Sequence, residues 1–168
     1  MKKIFLISLT LLSLASSSLL AEDKKTSLKV AQKSYVGAGF GFTDVTAYDT
    51  GYSLILHAGK SLPKVDKEFG VEGAFSHTLV DPAYKSIDLT ITTIAGYATY
   101  NFNFSPEIKL KAKGGILYER LSANTTTDEF EVSYGFKVLY ALKSKKSLYL
   151  DYTIVEKDIA IFSLGLEF

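Results

Sequence analysis

Apolar and polar residues alternate with a period of two in eight stretches of this 168-residue chain. Successive side chains of a β-strand point to opposite faces, so such alternation predicts strands whose two faces meet different surroundings. The final stretch, IAIFSLGLEF, shows the pattern most clearly, with four apolar residues on one face: Phe162, Leu164, Leu166 and Phe168. We find no helical periodicity beyond residue 33. The chain is therefore predicted to be all-β.

The other seven stretches lie between residue 34 and the final one. They are YVGAGFGF, GYSLILHAGK, FGVEGAFSHT, SIDLTITTIAGYATY, IKLKAKGGILYE, FEVSYGFKVLY and LYLDYTIV. These lengths suit the ~10 residues that a tilted membrane strand needs. The facing of the fourth is ambiguous, because Thr93 and Ile94 fit neither face cleanly. Pro63, Pro82 and Pro106 fall outside the stretches, where a missing backbone donor is tolerated.

The first 21 residues, MKKIFLISLTLLSLASSSLLA, have the order of a secretory signal peptide: two lysines, an apolar run, then small residues up to Ala21. We expect cleavage after Ala21, a polar periplasmic leader over residues 22–33, and one domain over 34–168. A transmembrane anchor is the alternative, but serines interrupt the run and it falls short of the ~20 apolar residues of a span. The chain has no cysteine, which excludes disulfide and thiol chemistry.

Charge and motif content exclude several functions. Cleavage removes Lys2 and Lys3 from 19 basic residues and none of the 18 acidic ones, leaving a net charge near −1 and no electrostatic reason to bind nucleic acid. The two histidines lie on different stretches and have no metal-ligand spacing. The glycines of VGAGFGF precede no predicted helix, so they form no nucleotide loop. We therefore expect no metal and no cofactor.

The two faces of the predicted strands differ in side-chain size. One face is apolar and aromatic, whereas the other is rich in Gly, Ser, Thr and Ala with some charged residues. A soluble sandwich or lipocalin-like barrel would carry Lys, Glu and Gln on its outer face. Small residues instead suit the interior of a narrow eight-stranded barrel. The pattern predicts an eight-stranded antiparallel transmembrane β-barrel, an up-and-down meander whose apolar face meets lipid.

Aromatic residues gather near the strand ends, where girdles lie at bilayer interfaces. The predicted rims are, at one end, Phe42, Tyr52, Phe75, Tyr118, Phe130 and Tyr152, and at the other Tyr97, Tyr140 and Phe168. With both termini periplasmic, connections 61–68, 101–107 and 141–147 face the periplasm. The outward loops are then 43–50, 78–86, 121–129 and 155–158, all short. The polar stretch LSANTTTDE (121–129) has the composition of a mobile tip.

A signal peptide, eight amphipathic strands and a closing stretch with a terminal aromatic together resemble the small OmpA/OmpX-like outer-membrane β-barrels of Gram-negative bacteria, the opacity- and porin-like barrel domains. The resemblance covers essentially all of the mature chain. It implies a monomer in the cell outer membrane, surrounded by lipid and lipopolysaccharide. It also implies that Phe162, Leu164, Leu166 and Phe168 form the signal that the barrel-assembly machinery reads.

Five charged residues are predicted to point into the lumen: Glu72, Lys111, Lys113, Lys137 and Asp151. Buried charges must be paired, because an isolated one costs several kcal/mol. We expect the glycines at 37, 39 and 41 to leave space for these long side chains. The structural interpretation is a salt-bridged plug that fills the lumen. The functional alternative is a narrow, porin-like path for ions or small solutes.

A lipid-modifying outer-membrane enzyme is a third hypothesis. A deacylase family with eight-stranded barrels uses a lipid-facing His two residues before a Ser, and Ser76-His77-Thr78-Leu79 is the nearest match. Its His77 has the lipid-facing parity, but residue 79 is Leu, so the motif fails. His57 is predicted to point into the lumen in a structural role. We therefore predict no catalytic residue and a structural or surface-interaction protein whose outward loops meet an unidentified partner.

Overall fold

The structure, a computed structural model, describes residues 34–142 and 146–168. The predicted signal peptide (1–21) and leader (22–33) lie outside the described residues, as does the segment 143–145. In the described part of the chain, no helix is long and apolar enough to cross a membrane. All ten regular elements there are β-strands.

Eight of the strands form one closed antiparallel barrel, in which each strand pairs with the next barrel strand along the chain and the last pairs with the first. They are β1 (Ser34–Val45), β2 (Gly51–Ser61), β3 (Phe69–Val80), β6 (Thr90–Asn103), β7 (Ile108–Ser122), β8 (Thr126–Ala141), β9 (Ser147–Glu156) and β10 (Ile159–Glu167). Two short strands, β4 (Ala83–Tyr84) and β5 (Ile87–Asp88), pair as a separate ribbon between β3 and β6. The predicted fold class and the number of barrel strands are confirmed.

The barrel closes where β1 pairs with β10. The ladder runs from Gly37 opposite Glu167 to Val45 opposite Ile159. Beyond the Gly37–Glu167 pair, Val36 and Phe168 exchange two backbone hydrogen bonds, of 3.2 and 2.8 Å. Closure satisfies the backbone groups that an open sheet would leave exposed at its edges, as the interior of a bilayer requires.

The outer face of the barrel is apolar and aromatic, as predicted. Phe130, Phe40 and Ile116 are 75%, 66% and 65% exposed. An apolar belt of this extent is incompatible with a water-facing monomer and suits lipid. Aromatic pairs lie near the strand ends, with Phe42 and Tyr52 at one rim (5.3 Å between ring centroids) and Tyr100 and Phe102 at the other (5.0 Å).

Strand β6 shows which faces Thr93 and Ile94 occupy, and it corrects the predicted position of one rim residue. Thr93 points inward at 4% exposure, while Ile94 lies on the outer face opposite Phe75 and Tyr118. Tyr97 shares the parity of Thr93, so it is buried in the lumen and not at the rim. The assignment of Tyr97 to the rim was wrong because β6 has apolar residues on both faces. On such a strand, the alternation does not indicate which face a tyrosine occupies.

The interior has two layers. Toward the outward connections it contains an apolar cluster that the sequence did not suggest: Val45, Ile55, Leu89, Ile91, Ala95, Tyr97, Leu117, Val155, Ile159 and Ile161. The charged part of the expectation holds mainly for the half that contains Glu72 and Lys137, whereas small polar residues such as Thr43 and Ser53 are buried beside the apolar cluster. The apolar cluster lies on the same inward face of the strands as the small residues. The sequence analysis considered the composition of that face as a whole, so the cluster was not recognised.

The outward connections are shorter and more regular than predicted. Strands β7 and β8 remain paired as far as Ser122 and Thr126, so the stretch 121–129 is an extension of the hairpin and not a mobile tip. Only residues 123–125 join the two strands. In the loop predicted over 78–86, β3 continues to Val80 and the β4–β5 ribbon follows.

Candidate functional site

The five charged residues predicted for the lumen come together there. Glu72 extends from β3, Lys111 and Lys113 from β7, Lys137 from β8 and Asp151 from β9. Each residue is buried, with an exposed fraction between 0% for Lys137 and 7% for Lys113. They meet because inward-facing positions of different strands share one level of a narrow barrel.

Glu72 is at the centre of this cluster. Lys137 Nζ donates to both of its carboxylate oxygens, at 3.0 and 3.1 Å, and Lys111 Nζ donates to Oε2 at 3.2 Å. Asp151 accepts a 2.7 Å hydrogen bond from Lys113 Nζ and lies 3.8 Å from Lys137 Nζ. Lys137 thus links the two carboxylates, and no member of the five stands alone.

Three further residues complete the cluster: His57, which was predicted to point into the lumen, and Glu167 and Tyr35, which the sequence analysis did not assign to it. Glu167 Oε2 accepts a hydrogen bond from Lys111 Nζ at 3.2 Å and lies 3.3 Å from Nε2 of His57. The hydroxyl of Tyr35 donates to Glu72 at 2.9 Å, and its ring lies 3.8 Å from Lys111 Nζ. The alternation of their strands places all three side chains inward, so the argument that placed His57 in the lumen could also have identified Tyr35 and Glu167. We name these eight residues the lumen cluster.

The lumen cluster is balanced in charge. Three lysine ammonium groups face three carboxylates, those of Glu72, Asp151 and Glu167. In a low-dielectric interior this balance matters, because each charge must recover by pairing what it loses in hydration. Glu167 supplies the third negative charge, which the five predicted residues lacked.

One part of the lumen cluster has the spacing of a metal site. Ligand atoms of His57, Glu72 and Glu167 lie within 4.8 Å of one another. However, Lys111 contacts both carboxylates at 3.2 Å, and Lys137 contacts Glu72 at 3.0 Å. Ammonium groups at these distances repel a second cation, so we assign no metal here.

The glycines of β1 serve different side chains from the lysines expected. A Cβ atom at Gly37 would collide with the His57 ring, and one at Gly39 with the Tyr149 hydroxyl and the Leu164 carbonyl oxygen. The Tyr149 ring in turn lies 5.0 Å from Lys137 Nζ. These glycines therefore give space to the rings that wall the lumen cluster.

Little free volume remains in the lumen. The interior cavity, whose walls include Glu72, Lys113, Asp151 and residues of the apolar layer, measures about 30 Å³. That is space for about one or two water molecules. A tightly filled lumen of this kind is typical of small eight-stranded barrels.

In β3, His77 shares the outer face with Leu79, where the enzyme motif requires a serine, and the nearby Ser76 lies on the opposite face. Ser76 points into the lumen and hydrogen-bonds Thr93 at 2.7 Å, whereas His77 lies on the outer face, 2.9 Å from the Thr92 hydroxyl. Neighbouring residues of a strand point to opposite sides, so these two side chains cannot act on one substrate atom.

The predicted assembly-signal residues form one outward-facing row on and beside β10. Phe162, Leu164, Leu166 and Phe168 are 46%, 50%, 36% and 51% exposed. Phe168 lies just beyond β10 and is held by its backbone bonds to Val36. Their role in assembly stays a prediction.

Comparison with solved structures finds the same architecture in bacterial outer-membrane proteins. Neisserial surface protein A is 16% identical with a TM-score of 0.64, over 82% of this chain and 97% of that one. Ail, the attachment invasion locus protein of Yersinia pestis, is 14% identical with a TM-score of 0.57, over 80% and 97%. The N-terminal barrel of Pseudomonas aeruginosa OprF is 12% identical with a TM-score of 0.56, over 82% and 97%.

At these identities the structural neighbours show the fold alone. Comparison with curated protein sequences gives no match. The family model described as outer membrane protein beta-barrel domain, however, matches residues 7–166, nearly the whole sequence. The chain therefore belongs to the outer membrane protein β-barrel domain family.

Proposed function

We propose that this protein is a structural, surface-interacting component of the Gram-negative outer membrane, non-enzymatic, with a lumen closed by its own side chains. Family membership supports the location and the general class. The observation that carries the closed lumen is the lumen cluster, in which three ammonium groups and three carboxylates interlock across the barrel. We further propose that the chain is exported with its first 21 residues cleaved and that it functions as a monomer.

The energetics of buried ion pairs support closure. To open a path, hydrated ions would have to separate pairs such as Lys113–Asp151, whose side chains are each 4% exposed. Separating the partners of a buried pair costs about 3–5 kcal/mol, because one charge is left uncompensated. The apolar layer adds a second barrier, since it offers ions no oxygen ligands.

If the lumen is closed, interaction with a partner falls to the outward connections. Connections 46–50, 81–89 and 157–158 carry Asp49, Asp81, Asp88 and Asp158 against Lys85 and Lys157. One structure of Ail contains the heparin analogue sucrose octasulfate, a polyanion. The acidic excess on this chain instead favours a cationic partner, because complementary charge steers association.

Single-channel conductance in planar bilayers tests the closed lumen. We expect folded protein to insert without resolvable current steps, with heat-denatured protein as the control for insertion artefacts. Reproducible steps whose size or ion preference changes in Glu72→Gln would overturn the proposal and favour a narrow channel for ions or small solutes.

A further inference from the structure

Strand β8 extends beyond its neighbour β9 at the outward end of the barrel. It begins at Thr126, but its ladder with β9 begins only at Tyr134. The other side of the hairpin is covered, because β7 pairs with β6 as far as Ser122 and Thr90. Among the described residues, the stretch 126–131 therefore has a paired strand on one side alone. We name its other side the free edge.

The backbone groups of every second residue point to the free edge. The Ala141 N–H donates to the Glu107 carbonyl on the β7 side, and the Leu142 N–H donates to the Lys146 carbonyl on the β9 side. The register between β7 and β8 is unbroken, so the same alternation continues along the strand. The groups at the free edge are therefore those of even-numbered residues: Thr126, Asp128 and Phe130.

The free edge lies outside the hydrocarbon of the bilayer. Phe130 packs against Tyr118 at the rim, with 5.3 Å between ring centroids, so the chain from Phe130 to Thr126 lies at or beyond the interface. Hydrocarbon also excludes unpaired N–H and C=O groups, because nothing there can bond them. An accessible row of such groups is a template for pairing with a strand of another chain.

A cavity at the mouth of the barrel adjoins the free edge. It measures about 380 Å³ and opens between the β7–β8 hairpin, which contributes Thr127, and the end of β9 with the turn after it, which contribute Glu156 and Asp158. Its apolar wall includes Leu121 and Ile159. The described residues that line it include these two acids and no basic residue.

The chemistry of this surface indicates a basic partner. The side chains of a strand paired at the free edge would point alternately inward, beside Glu129 and Glu131, and outward, beside Phe130. The inward side chains enter the mouth cavity, where the aliphatic stem of Lys or Arg packs on the apolar wall and its cation reaches Glu156 and Asp158. The same acids oppose a second copy of this chain, because like charges opposite each other in a sheet are destabilising.

We propose that the free edge and the mouth cavity bind an extended, basic segment of another polypeptide by strand addition. This rests on the proposed surface-interaction function and names the class of partner. Backbone hydrogen bonds at Asp128 and its even-numbered neighbours supply affinity, and the cavity selects basic side chains at alternate positions. Phe130, which is 75% exposed, contacts apolar side chains on the outer face of the partner.

Peptide binding to the folded mature barrel in nonionic detergent tests the site. The probe is a short, capped, fluorescein-labelled peptide in which arginine and valine alternate, and fluorescence polarisation follows its binding at physiological ionic strength. We expect saturable binding. The same peptide with methylated backbone nitrogens keeps its charge but cannot donate hydrogen bonds to a strand. It should bind at least about 10-fold more weakly.

Variants separate the free edge from its charge. Asp128→Pro removes one N–H of the free edge and adds a ring that blocks pairing, whereas the ladder with β7 is kept because edge positions tolerate proline. It should weaken peptide binding at least about 10-fold. Asp128→Asn, the matched control, loses the same charge but keeps the N–H, and should weaken binding at most about 5-fold. Glu156→Gln combined with Asp158→Asn should weaken it about 3–10-fold.

Amide hydrogen exchange gives a readout that charge alone does not move. Bound peptide should slow exchange at Thr126, Asp128 and Phe130, whose N–H groups lie at the free edge. Exchange at Thr127 and Glu129, whose N–H groups face β7, should change little. Two-dimensional NMR of the isotope-labelled barrel with and without peptide measures both sets.

Three outcomes would overturn strand addition. The first is no saturable binding of the alternating peptide. The second is binding that the N-methylated peptide or Asp128→Pro retains in full, which would leave a cationic partner of the outward connections but no role for the free edge. The third is a parent barrel that is dimeric where Asp128→Pro is monomeric, which would assign the free edge to a second copy of this chain.

Two safeguards keep these outcomes interpretable. If Asp128→Pro fails to fold, the N-methylated peptide and the alternating pattern of amide exchange in the parent decide. Single-channel conductance tests the closed lumen separately, so a barrel that is closed but binds no peptide would contradict strand addition alone.

Discussion

Lys137 and Glu72 face each other across the lumen, with Nζ 3.0 and 3.1 Å from the two carboxylate oxygens, although 65 residues separate them in the chain. Strands β6 and β7 lie between their strands in the barrel. The contact exists because the barrel is closed and narrow enough for side chains to meet across it. It joins one half of the chain to the other.

Glu72→Ala should destabilise the barrel by about 3–5 kcal/mol, because it leaves Lys111 and Lys137 with excess positive charge where water is scarce. A double variant that also lacks Lys111 should recover part of the lost stability, because it no longer contains the unpaired Lys111 ammonium group. Chemical denaturation of detergent-folded protein measures both, with the exposed Glu107→Ala as control. A Glu72→Ala barrel that equals the parent in stability but carries a changed current would point to a wet pore.

Gly39→Ala should destabilise the barrel by about 1–3 kcal/mol, because the new methyl group overpacks the wall against Tyr149 and the backbone of β10. Gly96→Ala is the matched control, since a Cβ atom there meets nothing within 4 Å on the outer face. That change should be neutral or stabilising by up to about 1 kcal/mol. If both variants change the free energy of unfolding in denaturant by the same amount, the contact with Tyr149 does not constrain residue 39.

Leu164→Arg should destabilise the barrel in lipid by about 2–4 kcal/mol if residue 164 lies near the midplane, and by less toward an interface. Leu164 is 50% exposed on the outer face, between Phe162 and Phe168 of the same outward-facing row. Val65→Arg, in a connection between strands and 72% exposed, adds the same charge outside the apolar belt and should be nearly neutral. Unfolding from phospholipid vesicles compares the two. A neutral Leu164→Arg would argue that the outer face does not meet hydrocarbon.

Phe168→Ala should lower the amount of assembled barrel in the outer membrane while leaving folding into detergent largely intact. The side chain is half exposed, but its backbone bonds to Val36 survive the change. Phe104→Ala removes an aromatic that is more exposed, at 71% against 51%, from a turn between strands and should assemble normally. Surface level and heat-dependent electrophoretic migration give the two readouts. Normal surface levels of Phe168→Ala would show that the assembly machinery reads something else.

The sequence by itself determined the fold class, the number of barrel strands and the direction of most side chains. This was possible because lipid reverses the usual arrangement: large apolar residues such as Phe40 and Leu164 had to face outward, and the period of two then placed every other residue inside. Where a strand is apolar on both faces, the argument failed, and Tyr97 of β6 was assigned to the rim although it lies in the lumen.

Only the tertiary structure decided which inward residues meet. Parity gives the face of a strand but not the depth at which its residues lie, and depth follows from the register of each strand with its neighbours. Register brought Glu167 and His57 to the level of Lys111, divided the interior into a charged and an apolar layer, and placed Glu119 between Leu117 and Leu121, opposite Glu129. Those pairings depend on strands far apart in the chain, so no local pattern could specify them.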